Sequence, residues 1–262
     1  MNDPHVVALI YRVDHGNSID YSKAAPLNHD EPGFRLTVED NRARLDFKEH
    51  YATVEQARES LAEYIRLWEF RAQLEHGPNS FRLEFDKPEV IDRNPTQGEV
   101  SISAHFRAGK ATGSAKLTIV ASDYPQPPAK MALNPDVETM HHRYMGYRQG
   151  REPLPALAYF CLTVLEQAAG ERKKAADTYQ IQRKVLDNIG KFTSTRSGPD
   201  ARKYKRVATE LSSQERNFLG SAVRAIIRRM AEKHFAPDGD LPILSLSDLP
   251  SLGNDVESNA TK

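Results

Sequence analysis

Residues 191 to 206, KFTSTRSGPDARKYKR, set Lys191, Arg196, Arg202, Lys203, Lys205 and Arg206 among serine, threonine, glycine and Tyr204. Backbone amides and hydroxyls beside guanidinium and ammonium groups suit phosphate oxygens, and a tyrosine ring offers a face on which a base can stack. Capture of a phosphate-bearing ligand, RNA above all, is the chemistry this stretch favours. Docking on an acidic protein surface and plain solvation are the other readings. A second arrangement lies near the end of SSQERNFLGSAVRAIIRRMAEKHF, residues 212 to 235, where Arg229 and His234 stand five positions apart. At about 100° per residue they flank an apolar face roughly 140° from each other, so both reach a groove beside the core.

The element that carries this pair is the clearest helix of the chain. Ser212 followed by Glu215 is a capping box, which satisfies orphan amides at the helix start. Phe218, Leu219, Ala222, Val223, Ile226, Ile227 and Met230 then recur every three to four residues, and this lays one apolar stripe along the helix. Pro237 and Gly239 stop it. An arginine, four residues and a histidine near the end of a helix in an all-helical domain is similar to the RxxxxH signature of HEPN domains. The resemblance implies a helical bundle, often dimeric, of a kind that in many members cuts RNA without a metal. By that resemblance Arg229 would hold a phosphate, His234 would exchange a proton or hold the attacking 2′-hydroxyl, and Glu166 would orient Arg229. Read from the residues alone, the pair is a snorkelling arginine and a histidine that complements the helix dipole. The same spacing recurs at Arg71 and His76, also at a helix end.

Other reactive side chains carry less. Cys161 is the single cysteine and lies in the apolar run 156 to 165, which reads as a buried thiol and excludes a disulfide framework or a cysteine-rich zinc site. His141 and His142 are adjacent on a helix and diverge by about 100°, a poor chelating geometry. Glu84 and Asp86 share one side of a strand, as charges on a solvated sheet face commonly do. No Walker loop, HExxH, GxSxG or strand-following GxGxxG occurs, and neither a cofactor nor a metal is expected.

The 36 basic and 36 acidic residues balance, yet residues 172 to 206 hold eleven Lys or Arg against three acids, a net +8. Residues 1 to 171 come to −6 and residues 207 to 262 to −2, so neutrality hides a strong asymmetry. The apolar run Val6 to Tyr11 is too short for a membrane span and lacks the flanks of a signal peptide, so a cytoplasmic protein without a membrane partner is expected.

These elements imply an α+β chain. Residues 1–124 read as an antiparallel sheet with one packed helix. A strand over 5–13 precedes a hairpin, 34–40 with 42–48, that turns at Asp40 and Asn41. A helix capped at Thr53 runs to Gly77, and strands follow over 81–85, 100–106 and 115–120. Residues 125–133 form a proline-rich linker. Residues 134–236 form a four-helix bundle, its helices opening at Asn134, Pro155, Lys173 and Ser212, with 155–169 at its centre. Residues 237–262 give an extended strap over 241–249 and a polar tail. Two functions from different classes follow. One is an RNA-directed protein of the HEPN-like ribonuclease kind, with the basic stretch as its backbone clamp. The other is a non-catalytic interaction or ligand-sensing subunit, and a homo-oligomer or protein partner is expected.

Overall fold

The computed structural model describes residues 2–16, 19–94, 119–128, 130–195 and 210–252. The chain is α+β and forms two compact units, residues 1–128 and 129–262.

In the first unit the strands are β1 (Pro4–Asp14), β2 (Ile19–Asp20), β3 (Leu27–Asp30), β4 (Phe34–Glu39), β5 (Arg42–Phe47), β6 (Arg82–Asp92) and β7 (Ile119–Val120), with helix α1 (Val54–His76) between β5 and β6. Five of them make an antiparallel sheet in the order β3-β4-β5-β1-β6, while β2 and β7 pair in parallel. The hairpin forms because Asp40 and Asn41 accept left-handed φ angles of 49° and 57°. A two-residue turn matched to strand twist needs both positions there, and short polar side chains tolerate it best. Asn41 is then fixed from both sides: its carbonyl accepts from the Val13 amide at 2.8 Å and its amide donates to the Tyr124 hydroxyl at 2.9 Å.

Alternation does the rest. Leu36, Val38, Ala43, Leu45, Leu9, Tyr11 and Val13 turn to the face on which Ala57, Leu61, Trp68 and Ala72 of α1 pack. Trp68 is fully buried and donates from Nε1 to the Pro125 carbonyl at 3.0 Å. Arg71 donates to the Pro127 carbonyl at 2.7 Å, and Tyr124 stacks on Tyr21. The proline-rich stretch therefore begins as part of the first core. Prolines keep their carbonyls available as acceptors while contributing no donors of their own.

The second unit holds α2 (Pro135–Arg148), α3 (Leu154–Ala169), α4 (Arg172–Thr178), α5 (Arg183–Thr195) and α6 (Ser213–Phe235). Asn134 caps α2 by accepting the Val137 amide, Pro135 sits in its first turn, and Gly170 ends α3 at φ 91°. The α3 helix packs against α2, α4, α5 and α6 and buries Leu157, Ala158, Cys161 and Leu165. It is the central helix, as its near-continuous apolarity implies. Both halves of the Ser212–Glu215 capping box are present at the start of α6.

One expected helix, 173 to 189, is two. Gln180 takes φ 50°, Ile181 pairs in a parallel bridge with Leu244, and the Leu244 amide and carbonyl bond to the Gln180 carbonyl and Gln182 amide at 2.9 and 2.8 Å. The strap supplies the backbone partners that helix continuation would have supplied, so the chain turns there. The strap itself ends in a 3-10 turn, Leu246–Asp248. The expected strand over 100–106, most of that over 115–120, and the tail beyond 252 lie outside the described residues.

Candidate functional site

Helix α6 separates the two residues of the arginine–histidine spacing. Arg229 is 6% exposed. Its Nη2 donates to the Pro242 carbonyl at 2.8 Å, its Nε lies 3.6 Å from Glu232, and its buried Nη1 has no hydrogen-bond partner among the described residues. Burial holds the guanidinium below its ordinary range; Glu232 opposes that effect, Arg228 adds to it, and Asp248 opposes it. His234, in contrast, is exposed at the helix end. It lines a cleft of about 230 Å³ with Asn134, Thr178, Tyr179, Met230, Lys233 and Pro237.

The cleft is built from element ends. Asn134 is the cap of α2, Thr178 and Tyr179 close α4, and Lys233 and His234 close α6. Helix ends are where unpaired polar groups gather, which explains why the walls offer amide, hydroxyl, ammonium and imidazole donors over the sulfur of Met230. The walls contain no carboxylate. Lys233 Nζ turns back to the carbonyls of Gly239 at 2.7 Å and Pro237 at 3.3 Å. Burial raises the Tyr179 hydroxyl above its usual range, and Asp136 raises it further. That hydroxyl stays protonated and donates at neutral pH.

Glu166 does not meet Arg229 in this arrangement. Its carboxylate accepts from Arg172 Nε at 2.6 Å, and Arg172 reaches on to Asp187 at 3.2 Å, so the three residues tie α3, α4 and α5 together. The guanidinium lies against Gly190, where an added Cβ would stand 2.9 Å from Nη1. Of the basic stretch, Lys191 is exposed on α5, while Arg196, Arg202, Lys203, Tyr204, Lys205 and Arg206 lie outside the described residues.

The remaining candidates have local explanations. Glu84 and Asp86 share Arg12 at 3.3 and 3.8 Å. Burial pushes the Cys161 thiol up, which keeps it protonated and inert. Burial, with His142 beside it, pushes His141 down to about 4. Arg71 of the second arginine–histidine spacing serves Glu75 and the Pro127 carbonyl.

Sequence reading missed Thr178 and Tyr179 as wall residues, since the break after Thr178 is tied to the distant Leu244, and it missed Lys233, which meets them only through the packing of α6 beside the end of α4. It also missed His5 and His50, whose Nδ1 atoms lie 3.0 Å apart with stacked rings. No sequence pattern links positions so far apart. Among the described residues no group of three or more His, Cys, Asp or Glu is placed to hold a metal ion, and no helix is long and apolar enough to cross a membrane. Comparison of the chain with family models, with curated proteins and with solved structures finds no match.

Proposed function

We propose that this is a cytoplasmic, RNA-directed protein whose helical unit receives backbone phosphate at the His234 cleft, in the manner that its HEPN-like arginine–histidine spacing suggests. The observation that carries the reading is a cleft walled by Asn134, Thr178, Tyr179, Lys233 and His234 with no carboxylate among its lining residues. Such walls offer an anion donors and put no carboxylate in direct contact with it, Asp136 being the acidic group that acts on Tyr179 from outside the lining. The +8 stretch over 172 to 206 supports the same reading by adding long-range attraction for a polyanion. Cleavage would need Arg229 beside the phosphate as well.

A second reading, a non-catalytic interaction subunit working as a homo-oligomer or with a protein partner, is favoured by Arg229 being engaged with Glu232 and Pro242. One experiment separates the two. The purified chain is incubated with mixed single-stranded RNA in EDTA at several salt concentrations, beside His234→Ala, and the oligomer mass of each is recorded. Salt-dependent binding that weakens in the variant supports the RNA reading. Cleavage lost in the folded variant extends it to a ribonuclease. An oligomer that ignores RNA at every salt concentration supports the interaction subunit.

A further inference from the structure

We propose that residues 237–249 form a latch over a phosphate-binding pair of Arg229 and Lys233, beside the open His234 cleft, and that releasing the latch opens this pair to the RNA backbone. The inference rests on the RNA-directed reading above and adds to it a closed and an open state.

Two cations one helical turn apart hold the strap by its carbonyl oxygens. Lys233 takes Pro237 and Gly239, and Arg229 takes Pro242. Residues four apart on a helix lie on one side, so these contacts form one continuous grip. The oxygens stand where phosphate oxygens would bind, but they carry only partial charge and satisfy the guanidinium incompletely: Arg229 Nη1 is buried without a hydrogen-bond partner among the described residues. A phosphate presents several charged acceptors to a guanidinium fork, so each bond carries charge at both ends, whereas the carbonyl bond carries it at the donor alone.

The strap is held more by hydrogen bonds than by burial. Besides the two cations, its fastenings are the Ile181–Leu244 bridge, the Gln180 and Gln182 side-chain oxygens accepting from the Leu241 and Leu246 amides, the Gln180 side-chain amide donating to Asp240, and the buried side chains of Leu244 and Leu249. Ile243, beside the anchor, is 67% exposed, so the closed latch leaves a large apolar side chain in water. Segments with few buried contacts open locally at far lower cost than the whole fold. Opening also changes the charge around the pair. Asp238, Asp240 and Asp248 belong to the strap and leave with it, whereas Glu232, 3.6 Å from both Arg228 and Arg229, stays.

The test uses the full chain in two altered forms. Leu244→Asp opens the latch without touching the pair. Ile181→Cys with Leu244→Cys locks it through a disulfide across the bridge, where paired backbones lie at a disulfide-compatible distance. Hydrogen exchange at the Leu241, Leu244 and Leu246 amides reports the state of the latch without any ligand. Binding is read by anisotropy of a labelled single-stranded RNA and, separately, by titration with pyrophosphate. The open form should bind RNA about tenfold more tightly than the parent, the worth of one added charge-assisted contact. The oxidised pair should bind more weakly than the parent and recover on reduction, and Arg229→Gln should cancel the gain of the open form. Equal RNA affinity in the locked, parent and open forms would overturn the latch and leave the RNA reading standing. Tighter pyrophosphate binding in the open form without RNA binding would keep the latch and remove the RNA reading. An open form with freely exchanging strap amides that binds neither probe would overturn the latch. Should Leu244→Asp fail to fold, the oxidised and reduced cysteine pair decide by the same criteria.

Discussion

Arg229 donates to the carbonyl of Pro242 at 2.8 Å, across thirteen residues of chain. Arg71 does the same to Pro127 at 2.7 Å in the other unit. In both, an arginine near a helix end ties down an extended, proline-bearing segment. Arginine suits the task because its long apolar stem reaches over the core while its fork meets a carbonyl that has no strand partner. Glu232 compensates the buried charge of Arg229 only in part, and this governs how substitutions there behave. Arg229→Met removes the charge and the unpaired Nη1 but keeps the packing, so unfolding in urea should change by less than about 1 kcal/mol. Arg229→Ala also leaves a cavity beneath the strap and should cost about 2 kcal/mol.

Gln180 is the hinge pin of the strap, since its Oε1 accepts the Leu241 amide, its Nε2 reaches Asp240 and its backbone carbonyl accepts the Leu244 amide. Gln180→Ala keeps the backbone bond and loses the side-chain ones. We expect a loss of about 1 kcal/mol and faster hydrogen exchange at the Leu241 amide, with α1 and the sheet unaffected.

On the open face of the sheet Arg44 grips Glu89 through two bonds of 2.7 and 2.8 Å that pass over β1, and the Glu89 carboxyl is held below its usual range chiefly by that contact. Both side chains remain about 40% exposed, so water and salt screen the pair. A double-mutant cycle with Arg44→Ala and Glu89→Ala should return a coupling of about 0.5 kcal/mol that shrinks as salt is added.

Trp68 is the chain's one tryptophan and is fully buried among Phe81, Tyr64 and the sheet. Its fluorescence therefore reports the first unit alone. Trp68→Ala should cost about 3 to 5 kcal/mol, whereas Trp68→Phe loses the bond to Pro125 with less of the volume and should cost about 2 kcal/mol.

His141 titrates near 4 in the folded chain because burial disfavours its charged form. The unfolded chain binds that proton near 6.5, so between those values the unfolded state carries more protons and stability falls as pH falls. From pH 7 to pH 4.5 the second unit should lose about 2 kcal/mol, read by urea denaturation followed by circular dichroism, and His141→Gln should flatten the profile. His5 adds the same sign in the first unit: burial, then Arg93 and His50, lower it, and only Asp3 opposes them. Its 3.0 Å contact with His50 needs one N–H and one lone pair, which full protonation of both rings removes.

The α+β class, the turn at Asp40 and Asn41, the caps at Thr53, Asn134 and Ser212 and the central place of α3 were all legible in the sequence. Each depends on groups within a few residues of one another, or on the period of the apolar side chains. The candidate site was legible only in part. The spacing of Arg229 and His234 fixed that they lie on different sides of α6, but not which side meets the strap. That was decided when Leu244 paired with Ile181, split the expected helix at Gln180, brought Tyr179 to the cleft and set the Pro242 carbonyl on Arg229. Local propensity over 173 to 189 favours an unbroken helix. Hydrogen bonds offered from a strap some sixty residues away outweigh that preference, and no window short enough to reveal a helix contains both partners.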